Sequence, residues 1–168
     1  MLINYRNKAP RLGKGCYVAD NAAVTGDVTL GDSVSVWFGA SVRGDSDPIT
    51  IGDRTNIQDN ATVHCTDGLP TAIGRDVSIG HNAVVHSAVV EDGVLVGMGA
   101  VVLDGAVIGA DSVIGAGAVV TKGTVIPPRS LVMGVPGRVV GQVPAGTNLE
   151  NARIYAERRA FYRGEVEI

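Results

Sequence analysis

The chain has 168 residues, 45% of them hydrophobic and 18% charged, which suits one packed domain and excludes a disordered chain. A net charge of −3, from 14 basic and 17 acidic residues with no basic run or basic–aromatic stripe, excludes a nucleic-acid binder. Aromatic residues make up only 4% against 23 glycines, so the core must be Val, Ile, Leu and Ala set between many sharp corners.

Met1 to Pro10 lacks a long apolar stretch, so no signal peptide is expected, and no apolar run is long enough to span a membrane. Cys16 and Cys65 are too few for a disulfide scaffold. We expect two reduced thiols in a cytoplasmic protein.

From Val18 onward aliphatic residues recur every six positions: Val18, Val24, Leu30, Val36, Val42. The register resumes at Ile51, Ile57 and Val63, and again at Ile73, Ile79 and Val85. After a step of five it runs through Val90, Val96, Val102, Ile108, Ile114, Val120, Ile126 and Val132. Gly or Asp often follows, as in Leu30-Gly31-Asp32 and Ile51-Gly52-Asp53. A period of six is neither 3.6 nor 2, and fits a short strand plus a turn. The aliphatic residue points inward, its successor points outward, and Gly, Asp or Asn bends the chain. Such a unit cannot bury its apolar face alone, so the units must stack as coils. Gly97-Met98-Gly99 and Gly115-Ala116-Gly117 look like fragments of phosphate loops, but they lie on the repeat and read as its turns.

The three histidines, His64, His81 and His86, all fall within this repeat. His64 follows Val63 and His86 follows Val85, and these two ladder residues are separated by three hexads plus four residues placed in Thr66–Ala72. That is one full coil, so both histidines should point outward on the same face. Stacked strands lie about 4.8 Å apart, a spacing that suits two imidazoles on one metal. His81 comes two residues after Ile79, near a corner, and should not reach the pair in its own chain. A copy related by a three-fold axis would supply it, which argues for a homotrimer with three intersubunit sites. Three neutral nitrogens and an open fourth position make a catalytic zinc arrangement; Fe2+ or Co2+ would also fit. Such a metal lowers the pKa of bound water from about 15.7 to about 7.

After Val132 the pattern stops. Val135-Pro136-Gly137 and Val143-Pro144-Ala145-Gly146 read as turns and linker. Thr147 and Glu150 form a Thr-x-x-Glu capping box, and Asn148 to about Arg163 reads as a helix closed by Gly164. Ile154, Tyr155, Arg158, Phe161 and Tyr162 share one face of it. This divides the chain into a coil domain, 1–140, and a linker with its packing helix, 141–168.

The repeat resembles that of the hexapeptide-repeat proteins, which implies a left-handed parallel β-helix with a C-terminal α-helix. Further motifs narrow the resemblance: Arg43-Gly44-Asp45, Asn56-Ile57-Gln58-Asp59, His64, Ile79-Gly80-His81 with His86, and Val96-Gly97-Met98-Gly99. Together they resemble the γ-class carbonic anhydrases over nearly the whole chain. The resemblance implies that His64, His81 and His86 bind the metal, two from one subunit and one from the next. It implies reversible hydration of CO2 to bicarbonate by metal-bound hydroxide, with Gln58 orienting the hydroxide. Arg43, Asp45 and Asp59 would form a subunit-bridging charge network, and the Tyr155 hydroxyl would approach the site. Ser46 stands where an acid would follow Arg-Gly-Asp. The loop after His64 is short and lacks an acidic insertion for proton transfer, and Glu157 stands where some members have asparagine. Two other readings stay open on the same scaffold: an acyltransferase or thioesterase, and a structural trimer of weak or no activity.

Overall fold

The structure, a computed structural model, describes residues 1–166. The last two residues of the segment 141–168 lie outside the described residues.

The six-residue period becomes a parallel β-helix of about seven turns with three faces, most carrying two- or three-residue strands, while Ala23–Leu30 and Ser41–Ile51 each run across two faces. Val24, Val42, Val63, Val85, Val102 and Val120 stack in register on one face. Leu30, Ile51, Ile73, Val90, Ile108 and Ile126 stack on the second. Val18, Val36, Ile57, Ile79, Val96, Ile114 and Val132 stack on the third. All but Val18 are at most 3% exposed, so the coils enclose one continuous aliphatic column. Burial of each such side chain stabilises the fold by about 1.5–3 kcal/mol, which is why a two-residue strand holds its place in the stack.

Glycine is required where backbone meets backbone between coils. A side-chain carbon at Gly80 would lie 2.7 Å from the Val96 carbonyl oxygen and 2.8 Å from the Met98 nitrogen. One at Gly44 would lie 2.6 Å from the Asp27 carbonyl oxygen. These glycines sit beside His81 and between Arg43 and Asp45, so close coil contact fixes the backbone of the residues singled out in the sequence.

The segment read as turns and linker also contains a strand, Arg138–Gln142, paired antiparallel with Ser130–Met133. The helix runs over Leu149–Tyr162, with Gly164 at positive φ just beyond it. The expected capping box does not form. Thr147 Oγ1 donates to the Pro144 carbonyl at 2.6 Å, and Glu150 pairs with Arg153. Asn148 occupies the cap position, but its amide donates to the carbonyls of Asp76 (2.9 Å) and Val94 (3.2 Å), tying the helix start to the coils. At the far end Arg159 donates to the Gly15 carbonyl. The helix buries Ala152 and Tyr155, whereas Phe161 and Tyr162 of the expected face are about half exposed. Trp37 meets Tyr155 and Tyr162 edge-on, with ring centroids 5.4 and 5.3 Å away. This aromatic contact sets the helix against the coil corner that carries His81.

Candidate metal centre

The strands Thr62–His64 and Val84–His86 pair in parallel, with His64 directly opposite His86. Their ring centroids are 5.0 Å apart, and His64 Nδ1 lies 3.0 Å from His86 Nε2. The backbone beneath them is firmly held. The His64 carbonyl accepts hydrogen bonds from Thr71 Oγ1 (2.6 Å) and from the Ser87 amide (3.1 Å).

The outer nitrogens of the pair are both engaged by carboxylates. His64 Nε2 lies 3.0 Å from Asp45 Oδ1, and His86 Nδ1 lies 2.5 Å from Asp104 Oδ1. A carboxylate only accepts, so in the neutral form of each ring the single hydrogen sits on the nitrogen that faces the carboxylate. The inner nitrogens are then two lone pairs facing each other across 3.0 Å. Such an arrangement calls for a cation between them, and two imidazole nitrogens are the donors that zinc, iron(II) or cobalt(II) prefer. The donor set therefore fits a metal.

His81 sits apart, on the turn after Ser78–Ile79. Its Nδ1 lies 2.9 Å from Asp59 Oδ2, and its Nε2 lies 3.3 Å from the Tyr155 hydroxyl. With Nδ1–H donated to Asp59, Nε2 holds the lone pair and accepts from the Tyr155 hydroxyl. Among the described residues, no three His, Cys, Asp or Glu side chains of one chain converge on a point that would hold a metal. One chain thus carries two facing imidazoles on one face and a single imidazole at another corner.

The charged residues divide in the same way. Arg43 Nη1 pairs with Asp45 Oδ2 at 2.5 Å, beside His64, while Asp59 belongs with His81. Partial burial pushes the Asp45 carboxyl up, but hydrogen bonds from Arg43 and His64 together outweigh this and leave it below its ordinary value. The stability linked to Asp45 is therefore fully present above the ordinary carboxylate pKa, about 3.9, and is lost as pH falls through the lower folded value. We expect Asp45→Asn to melt below the wild type at pH 6, and the gap between the two melting temperatures to close as pH drops below about 4. Thermal unfolding followed by circular dichroism from pH 3 to 7 measures this, and a gap independent of pH would contradict it.

Gln58 is 4% exposed and donates through Nε2 to Asn56 Oδ1 at 3.0 Å, which leaves its carbonyl oxygen unengaged by that contact. With His81, Tyr155 and Arg158 it lines a groove of about 540 Å³. Leu95, Val113 and Ile154 give the groove apolar lining, and Asn151 also faces it. Burial pushes the Tyr155 hydroxyl up, with Arg158 opposing, so it stays a neutral donor. Glu157 does not join this group, because it pairs with Arg153 on the exposed side of the helix. Cys65 is fully buried, its thiol donates to the Asp47 carbonyl at 2.9 Å, and burial pushes its pKa up, so it is a packing residue.

The residue that sequence reasoning missed is Asp104. It follows Leu103, one coil beyond His86 and two places past the ladder residue Val102. Its contact with His86 runs diagonally between coils, so neither sequence adjacency nor the six-residue register brings the two together. An acid two places past a ladder residue, one coil on from a histidine, is the only signal the sequence offers.

Residues 87–122 match the family described as bacterial transferase hexapeptide (six repeats). The chain is 62% identical over 132 residues to the probable carbonic anhydrase of Methanocaldococcus jannaschii, covering 79% of this chain and 83% of that protein. It is 40% identical over 166 residues to the carbonic anhydrase of Geobacillus kaustophilus, covering 97% and 91%. Among solved structures it is similar to a Bacillus cereus protein provisionally described as an acetyltransferase, with a TM-score of 0.92, 37% identity and 98% of both chains covered.

Proposed function

Because this chain belongs to the γ-class carbonic anhydrase-like family, we propose that it interconverts CO2 and bicarbonate at a metal centre formed where two copies of the chain meet. His64 and His86 of one copy and His81 of the next would hold the metal, and three-fold closure would give a homotrimer with three equivalent centres. The observation that carries this reading is the facing pair of ring nitrogens, His64 Nδ1 and His86 Nε2, 3.0 Å apart, with the other nitrogen of each ring against a carboxylate. Zn2+, Fe2+ and Co2+ all suit such donors, and the bound ion would supply Lewis acidity and a hydroxide nucleophile near neutral pH.

The protein's own part is orientation. Asp45, Asp59 and Asp104 each hold one histidine, so the remaining nitrogen of every ring is a lone pair. Arg43 holds Asp45 in turn. The Gln58 carbonyl oxygen would accept a hydrogen bond from the attacking oxygen and fix its direction toward carbon. Tyr155 would donate to the bicarbonate product. The apolar wall of Leu95, Val113 and Ile154 receives CO2, which has no charge to solvate.

A second reading, transfer or hydrolysis of an acyl group, draws on the likeness to the Bacillus cereus protein and on a groove larger than CO2 needs. Stopped-flow CO2 hydration on metal-loaded protein separates the two. We expect turnover that falls on the order of 10²-fold in Gln58→Ala while bound metal is unchanged. No CO2 turnover at full metal occupancy, with hydrolysis of a short acyl thioester, would favour the second reading.

A further inference from the structure

Asp104 lies outside the residues to which the family resemblance gives a role, and its geometry assigns it one. Its backbone is pinned from both sides, because Gly105 N donates to the Ser87 carbonyl at 2.7 Å and Gly123 N donates to the Asp104 carbonyl at 2.9 Å. The Asp104 and His86 side chains are only 28% and 27% exposed. Among the described residues, His86 is the one basic side chain within ion-pair distance of Asp104.

A neutral imidazole has one hydrogen and two places to put it. If His86 carried it on Nε2, that N–H would donate to His64 Nδ1 at the observed 3.0 Å, and the pair would close on itself. A metal would then have to break this bond and force a change of tautomer. With the Asp104 carboxylate 2.5 Å from Nδ1, the hydrogen is held on the outer nitrogen and the inner lone pair stays exposed. Asp45 does the same for His64, which leaves no hydrogen for the gap between the rings.

We propose that Asp104 is a positioning residue that selects the His86 tautomer whose Nε2 lone pair faces the cation position. It thereby keeps the two-histidine half-site open. The proposal rests on the metal-centre reading for its consequence, but the tautomer it specifies exists without metal and is measurable on its own.

The test uses the full chain, wild type and two variants, Asp104→Ala and Asp104→Asn. Long-range nitrogen–proton NMR on ring-labelled, metal-free protein, at a pH where the imidazoles are neutral, reports which nitrogen of His86 carries the hydrogen. We expect Nδ1–H in wild type and in Asp104→Asn, whose amide oxygen still accepts, and Nε2–H in Asp104→Ala. Titration with Zn2+ and with Co2+ should then show affinity about 10–100-fold weaker in Asp104→Ala and an intermediate loss in Asp104→Asn, where the acceptor remains without its charge. A merely structural role would lower stability and leave the tautomer unchanged. His86 keeping Nδ1–H in Asp104→Ala, or equal metal affinity in all three proteins, would overturn the proposal. Wild-type protein that binds neither metal would sink the metal-centre reading, while the NMR result would still decide the role of Asp104.

Discussion

Replacing His81 with alanine is expected to remove bound metal and CO2 hydration together and to leave the coils standing. His81 is one-third exposed, and its side-chain partners are Asp59 and Tyr155 rather than the core. The loss of one imidazole from three should weaken metal binding by more than about 100-fold, since even the removal of an outer partner costs 10–100-fold. Metal analysis after gel filtration, together with thermal unfolding of the metal-free protein, separates the two effects. The variant should lose its metal while the metal-free melting temperature moves by no more than a few degrees. A variant that keeps a full complement of metal would place the centre elsewhere. His64→Ala would not discriminate so well, because His64 also engages Asp45 and meets the His86 ring at a tilt.

The second large effect is on stability. Ile79→Ala should cost about 2–5 kcal/mol, as full burial of a large aliphatic side chain implies. Ile79 is fully buried and sits in register between Ile57 and Val96. The cavity would open in the coil that leads into Gly80 and His81, where close backbone contact leaves little room to collapse. Denaturant unfolding of the metal-free protein measures it, and a loss below about 1 kcal/mol would contradict the tight packing inferred here. Because Ile79 precedes the turn that carries His81, the same substitution should also weaken the proposed metal binding, as a consequence of the disturbed turn.

The coils were legible because their physics is repetitive. Each ladder residue from Val24 to Val132 makes the same demand for burial, so the period predicted the three stacked ladders, although buried residues between them such as Val28, Val34 and Ile49 lie outside it. The pairing of His64 with His86 followed from that period, since each stands one place past a ladder residue and the inserted loop keeps a whole coil between them. The separation of His81 followed for the same reason. What escaped the sequence depends on contacts the period does not encode. Asp104 reaches His86 from the next coil on a diagonal. The strand Arg138–Gln142 is exposed along its length and runs against the parallel stack, so it carries no inward-facing signal. The expected helix cap failed because Thr147 turns back to Pro144 and the Asn148 amide is taken by the coils, contacts that local spacing cannot foresee. The helix face was misjudged at its end, where Phe161 and Tyr162 keep much of their surface exposed although Tyr162 contacts Trp37.

The central claim is that one catalytic centre is built from two copies of the chain, and mixing two inactive variants tests it most directly. His81→Ala supplies an intact His64–His86 pair, and His86→Ala supplies an intact His81. Unfolded together in equal amounts and refolded, they should form trimers in which a neighbouring pair completes one centre, restoring about a quarter of the wild-type metal and CO2 hydration. Each variant refolded alone should recover neither. No metal and no turnover in the mixture, from trimers shown to contain both chains, would contradict the shared centre.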